Sequence, residues 1–176
     1  MPDEDLVRVL SEIQRRGAIG RTSLPDEVAH ADRFVRAVPA ARVAALSLVD
    51  LGSGGGLPGL VIAHRRPDVS VTLVERRTKR VDLLRYGIRA LGLLGSVSVH
   101  EGDVADFVGQ FDVVTARSFG PPLTVLDVSA PIVRAGGVVL ISEPPSGLPR
   151  WAVADIRALG FVDDDSLDGI RRFVRL

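Results

Sequence analysis

The chain has 176 residues with 22 basic and 22 acidic side chains, so its overall charge gives no general attraction for nucleic-acid phosphates. Its composition, 46% hydrophobic and 5% aromatic, suits one globular domain with an aliphatic core. The lack of cysteine excludes disulfides and a cysteine nucleophile, and three scattered histidines indicate no metal site. We expect a cytoplasmic protein, because the N-terminus is acidic and no apolar run approaches the roughly 18 residues of a membrane span.

Two amphipathic helices are predicted at the start of the chain. Apolar residues recur at helical spacing from 3 to 17, and a second helical stretch covers 25–38, where Pro39 ends it. We expect residues 1–40 to form a helical extension of a single domain whose ligand-binding core covers 46–176. Nothing in the sequence indicates the oligomeric state, and a monomer is the expectation.

After Ala45, short β-branched runs alternate with helical segments, a pattern typical of a parallel sheet with helical crossovers. Asp168-Gly169 favours a tight reversal between two further strands, which predicts a closing antiparallel hairpin. The expected fold class is α/β, with a doubly wound, mostly parallel seven-stranded sheet. The predicted strands are 47–51, 69–75, 97–101, 112–116, 138–142, 161–165 and 170–176. The predicted helices of this region are 57–66, 79–91, 123–134 and 151–159.

A glycine-rich loop follows the first strand directly and opens a helix. Glycines let the backbone turn sharply and approach a ligand, and the amides at the helix start can bind a polar group. Glu75 ends the next strand, about 20 residues on, where a carboxylate can accept both hydroxyl hydrogens of a ribose. Asp103 follows the third strand at the same edge and could approach an adenine. These features predict an adenosine-type ligand. The residues assigned to it are Asp50, Gly52, Ser53, Gly54, Gly56, Glu75, Arg76 and Asp103.

A dinucleotide is the competing ligand, because residues 54–59 satisfy the pattern G-x-G-x-x-G. Against it, Asp50 lies two residues before the first glycine, Pro58 stiffens the helix start, and the chain lacks room for a second substrate domain. Because the glycine pattern itself is satisfied, an NAD-dependent oxidoreductase remains an alternative.

These motifs resemble the glucose-inhibited division protein B family of 16S ribosomal RNA guanine-N7 methyltransferases, which have the Rossmann-like class I methyltransferase fold. The most specific part is 49–59, where Leu-Pro-Gly extends the glycine loop. Residues 71–81 are similar to the family's second strand and following helix, and residues 111–119 to its fourth strand. The resemblance implies S-adenosylmethionine as cofactor, and ribosomal RNA or the small ribosomal subunit as partner.

The resemblance also implies roles for individual residues. Gly52 and Leu57 would contact the cofactor, Val104 and Ala105 would line the adenine, and Arg117 would lie beside the methyl donor as the catalytic residue. Two segments depart from the family. Asp103-Val104-Ala105 stands where the family usually has Arg-Val-Glu, and Glu143-Pro144-Pro145 stands where it has Lys-Gly.

The chemistry expected of such a site needs little acid–base machinery. A sulfonium methyl group is already activated, and guanine N7 carries no proton, so positioning is the main requirement. Phe119 could stack on a base, and the basic residues Arg77, Lys79 and Arg80 are candidates for RNA phosphates. The second alternative is a non-catalytic S-adenosylmethionine-binding module that acts through a partner.

Overall fold

The computed structural model describes residues 2–41, 45–143 and 151–176. Within this part of the chain, seven strands form one sheet with the order β3-β2-β1-β4-β5-β7-β6. The strands are β1 (Leu46–Leu51), β2 (Val69–Glu75), β3 (Val97–Glu101), β4 (Phe111–Ala116), β5 (Val133–Ser142), β6 (Phe161–Leu167) and β7 (Ile170–Arg175). The helices are α1 (Pro2–Arg15), α2 (Leu24–Ala37), α3 (Gly59–Arg65), α4 (Thr78–Ala90), α5 (Pro122–Ser129) and α6 (Val153–Ala158).

The strand order creates a switch point at the centre of the sheet. β1 pairs in parallel with β2 on one side and with β4 on the other. The chain therefore moves outward through β2 and β3, returns, and moves outward again through β4 and β5. A crevice opens at the carboxyl ends of β1 and β4, where an open parallel sheet binds its ligands. The predicted doubly wound, mostly parallel seven-stranded sheet is confirmed.

The closing hairpin also agrees with the prediction. β7 pairs antiparallel with both β5 and β6. Asp168 and Gly169 have φ angles of 52° and 78°, the paired positive values of a two-residue turn that matches the twist of a hairpin. Asp-Gly adopts this turn readily. The resulting hairpin places β7 inside the sheet and β6 at its edge.

Several predicted boundaries were wrong. Helix α6 covers Val153–Ala158 and not residues 151–159, and β5 begins at Val133 and not at residue 138. Helix α5 ends at Ser129 and not at residue 134, because Val133 already pairs with Phe111 as the start of β5. Helix α3 begins at Gly59 and not at residue 57. The segment before it forms turns closed by Gly56 N–H donating to the Ser53 carbonyl. Pro144 and Pro145, which belong to one of the two segments that depart from the family, lie outside the described residues.

The N-terminal helices pack onto the sheet as part of its cover. The apolar face of α1 is buried, as its periodicity predicts, and it lies against α4, where Gly87 leaves room for Ile13. The turn after α1 reaches the glycine loop: a Cβ at Gly55 would lie 2.3 Å from Ile19 Cγ1 and 2.9 Å from the Ala18 carbonyl oxygen. Only a residue without a side chain permits this contact. None of the described helices is long and apolar enough to cross a membrane.

A cleft at the glycine loop and its neighbouring cavity

The glycine loop rests on a buried carboxylate at the end of β1. Asp50 is 1% exposed, and its Oδ1 accepts a hydrogen bond of 2.7 Å from the Thr115 hydroxyl on β4. Its Oδ2 faces the start of α3 near Gly59 and makes no hydrogen bond of normal geometry with any described residue. Burial raises the pKa of Asp50 to about 6, although the hydrogen bond from Thr115 acts in the opposite direction. Asp50 thus supports the loop from below.

Gly52 opens the cleft above this support. Its φ angle is +67°, and a Cβ at this position would lie 2.8 Å from the Phe119 ring. A side chain here would therefore be strained by the backbone and blocked by the ring. The missing side chain makes room for the Phe119 ring, and the Gly52 backbone lines the cleft.

Glu75 is held at the end of β2 by two main-chain donors. The Gly54 N–H donates to Oε2 at 3.0 Å, and the Arg77 N–H donates to Oε1 at 2.9 Å. The side chain is only 5% exposed, yet it lines the cleft. A carboxylate offers about four acceptor positions, so two remain for hydroxyl groups of a ligand. The carboxylate is positioned before any ligand arrives.

These groups surround a cleft of about 280 Å³. Apolar Val104 and Phe119 give it surfaces against which an aromatic ring can pack. Its rim carries an ion pair between Arg76 and Asp103, 3.4 Å apart, and the Asp103 side chain also accepts from the Ala105 N–H at 3.0 Å. The lining residues are Gly52, Val74, Glu75, Arg76, Arg77, Arg80, Gly102, Asp103, Val104, Ser118 and Phe119.

A second cavity of about 320 Å³ adjoins the cleft at the carboxyl ends of β4 and β5. Ser118 and Phe119 line both spaces, so the two spaces adjoin at these residues. Ser118 has a φ angle of +53°, a left-handed conformation that is uncommon outside glycine. The other residues lining the second cavity are His30, Ala116, Arg117, Gly120, Pro122, Val125, Ile141, Ser142 and Glu143.

A basic groove of about 380 Å³ lies on the other side of the cleft, between the end of α1 and the start of α4. Its cationic residues are Arg16, Arg77, Lys79 and Arg80, and no acidic residue lines it. Arg77 and Arg80 line the cleft as well. Most arginines of the described chain are paired with carboxylates, but Arg77 and Lys79 have no such partner there.

The structure brings together many of the residues assigned from the sequence. Gly52, Glu75, Arg76, Asp103 and Val104 line the cleft with Arg77, Arg80 and Phe119. Lys79 lies only in the groove, and Arg117 lies in the second cavity. The assigned residues that do not line the cleft and lie behind or beside it are Asp50, Ser53, Gly54, Gly56, Leu57 and Ala105. Within the loop, protein acceptors already bind the N–H groups of Ser53, Gly54 and Gly56.

Some residues of the site were not predicted from the sequence. Gly102 and Ser118 each adjoin an assigned residue at a strand end, so the strand boundaries contain enough information to find them. Glu27, which binds Arg117, and Thr115, which binds Asp50, are each joined to residues distant in sequence. No local pattern marks them. In the described chain, no group of three or more acidic or histidine side chains could hold a metal ion.

Several solved structures with a similar architecture are methyltransferases. The chain aligns with magnesium protoporphyrin IX methyltransferase from Synechocystis at a TM-score of 0.69 and 18% identity, over 94% of this chain and 90% of the other. An O-methyltransferase family protein from Burkholderia thailandensis gives a TM-score of 0.64 and 19% identity, over 84% and 56% of the two chains. These similarities establish the Rossmann-like class I methyltransferase fold.

Curated relatives of higher identity point to one family. The chain is 44% identical over 110 residues to ribosomal RNA small subunit methyltransferase G of Kineococcus radiotolerans, covering 61% of this chain and 43% of the relative. It is 36% identical over 125 residues to the protein of the same name from Stenotrophomonas maltophilia, covering 64% and 57%. The chain spans about half the length of the curated relatives it matches.

Residues 30–144 match the family described as rRNA small subunit methyltransferase G. The matched stretch contains the glycine loop, Glu75, Asp103 and Arg117, and it confirms the resemblance found in the sequence. The family and the fold also agree with S-adenosylmethionine as the cofactor. This chain therefore belongs to the rRNA small subunit methyltransferase G family.

Proposed function

We propose that this chain is an S-adenosylmethionine-dependent methyltransferase that acts on guanine N7 in the RNA of the small ribosomal subunit. The observation that carries the proposal is the pair of adjoining spaces at the switch point, both of which Phe119 lines. The first holds a prepared carboxylate, and the second is open for an acceptor. We also propose that the N-terminal helices and the sheet work as one domain, as a monomer in the cytoplasm.

The residues of the cleft fit the proposed cofactor. Glu75 has acceptor positions for the two ribose hydroxyls, and Val104 and Phe119 can pack against the adenine. Gly52 lines the cleft with its backbone, which can contact the amino-acid end. We retain the wider set of cofactor residues proposed from the sequence, with Asp50, Ser53, Gly54 and Gly56 shaping the loop, and Leu57 and Ala105 as further contacts.

The expected mechanism is transfer by positioning. When bound, the sulfonium would supply an already activated methyl group, and guanine N7 carries no proton, so the chain would need no general base. The chain must then hold the base in line and exclude water. Phe119 can stack on the base at the boundary between the two spaces, and Arg117 can donate hydrogen bonds to acceptor atoms of the base from the second cavity.

Methyl transfer to small ribosomal subunits is the direct test. We expect the purified chain to bind S-adenosylhomocysteine in calorimetry and to transfer labelled methyl from S-adenosylmethionine to subunits that lack the modification. Binding without transfer to subunits, naked ribosomal RNA or guanosine would instead support the non-catalytic module. Binding of NADH in place of S-adenosylhomocysteine would support the oxidoreductase, which the family does not favour.

The basic groove is the proposed contact for RNA phosphates. The chain carries equal numbers of acidic and basic residues, so attraction to RNA requires a local excess of cations. The groove supplies it with Arg77 and Lys79, which are exposed and have no carboxylate partner in the described chain. The groove meets the cleft at Arg77 and Arg80, so a bound strand would pass beside the cofactor.

Lys79→Ala should weaken subunit binding and reduce its dependence on salt. The slope of log affinity against log salt concentration is negative, and each lost phosphate contact reduces its magnitude by about 0.7 to 0.9. Filter binding at several salt concentrations measures this slope. Arg89→Ala is the matched control, because Arg89 is exposed in the last turn of the same helix and outside the groove. Equal slopes for the two variants would exclude Lys79 as a phosphate contact.

A further inference from the structure

Helix α2 contributes a fixed ion pair to the second cavity. Arg117, at the end of β4, donates to Oε2 of Glu27 in the first turn of α2. Oε1 of Glu27 accepts a hydrogen bond of 2.7 Å from the Thr22 hydroxyl. The two charged side chains are only 15% and 20% exposed. Partial burial opposes the charged form of Glu27, but the hydrogen bonds from Thr22 and Arg117 outweigh it and lower the pKa.

The other titratable groups facing this pair add no positive charge to the cavity. His30 lies one turn after Glu27 and lines the cavity, and burial lowers its pKa, with further contributions from Arg117 and Arg33. His30 is therefore neutral at pH 7. Glu143, on the opposite wall, accepts from the Trp151 indole N–H. Because Glu27 offsets Arg117, the cavity favours an uncharged planar base over a phosphate.

We infer that Glu27 is a positioning residue for the methyl acceptor, an inference that rests on the proposed function. Both Glu27 oxygens are bonded, so the carboxylate is fixed, and it fixes one edge of the guanidinium of Arg117. The planar guanidinium has further N–H donors, which can then meet acceptor atoms of the base with little loss of side-chain freedom. Helix α2 is thus a functional wall of the acceptor site.

Glu27→Gln should lower kcat for small ribosomal subunits about tenfold and leave the Kd for S-adenosylhomocysteine unchanged. The amide keeps the size of the side chain but loses the charge that holds Arg117. Asp26→Asn is the matched control, because Asp26 is exposed in the same helical turn, and it should match the wild type. Thr22→Ala removes one hydrogen bond to Glu27 without removing its charge, and it should lower kcat about threefold. This variant replaces Glu27→Gln in the test if Glu27→Gln fails to fold.

A double-mutant cycle separates positioning from a general structural role. In an Arg117→Lys background, Glu27→Gln should have little further effect on kcat, because it acts through Arg117. A full tenfold loss in that background, or equal kcat for Glu27→Gln and Asp26→Asn, would overturn the inference.

A measurement without catalysis keeps the two proposals distinct. In the protein loaded with S-adenosylhomocysteine, the Nη2–H group of Arg117, which donates to Glu27, should give a protected NMR signal in the wild type and in Asp26→Asn. Glu27→Gln should lose that protection. If the wild type methylates nothing, the proposed function fails, and this signal alone decides whether Glu27 holds Arg117. Protection that survives in Glu27→Gln would overturn the inference.

Discussion

Glu75→Gln is expected to weaken S-adenosylhomocysteine binding about 100-fold. The carboxylate accepts main-chain N–H groups from Gly54 and Arg77, and in the proposed complex it also accepts two ribose hydroxyls. An amide has only one oxygen, and its NH₂ group would face donors. Losing hydrogen bonds to a charged acceptor costs about 1.5 to 3 kcal/mol each, and about 2.7 kcal/mol corresponds to 100-fold in Kd. Isothermal titration calorimetry measures the change.

Glu101→Gln provides the control for this substitution. Glu101 ends β3 beside Glu75 in the same register, but it does not line the cleft and is paired with Arg85 at 3.4 Å. Its replacement should leave the Kd unchanged. An unchanged affinity in Glu75→Gln, with the protein folded, would show that the ligand does not bind through this carboxylate.

Asp50→Asn should stabilise the protein at neutral pH, by an amount that grows as the pH rises. Burial raises the pKa of Asp50 from 3.8 to about 6 in the folded state. Stability from the neutral carboxyl is therefore fully present below pH 3.8 and is lost as the pH rises through 6, because the folded protein must ionise a buried group. The asparagine variant avoids this loss. The difference in unfolding free energy should grow by about 2 to 3 kcal/mol from pH 4 to pH 8.

Urea denaturation at a series of pH values tests this difference. Asp112→Asn is the contrasting variant, because the pKa of Asp112 is shifted in the opposite direction from that of Asp50. Burial of Asp112 opposes its charged form, but hydrogen bonds from Ser47 and Arg134 outweigh it, so its pKa is lowered. Stability from that carboxylate is present above its unfolded pKa and is lost as the pH falls. Asp112→Asn should therefore cost more at pH 5 than at pH 2, because the contribution of the carboxylate is lost below its unfolded pKa of 3.8. A pH-independent effect of Asp50→Asn would show that Asp50 is charged in the fold.

Local patterns in the sequence were enough for the sheet and the cofactor edge. Parallel strands buried on both faces are continuous apolar runs, and the carboxyl ends of such strands meet at one edge. Glu75 and the glycine loop could therefore be placed together from their positions after β2 and β1. The boundaries of α3 and α5 could not, because turn closure at Gly56 and pairing between Phe111 and Val133 compete with the helical pattern.

The sequence by itself determined the fold class, the closing hairpin and the sheet edge at which the cleft opens, because each depends on residue spacing along a single segment. Only the tertiary structure decided that Asp50 accepts a hydrogen bond from Thr115 beneath the loop. It also decided that Arg117 lies in the second cavity and not in the cleft, where it pairs with Glu27. These contacts join residues 65 and 90 positions apart. No local periodicity records them, because packing of separate elements brings the partners together.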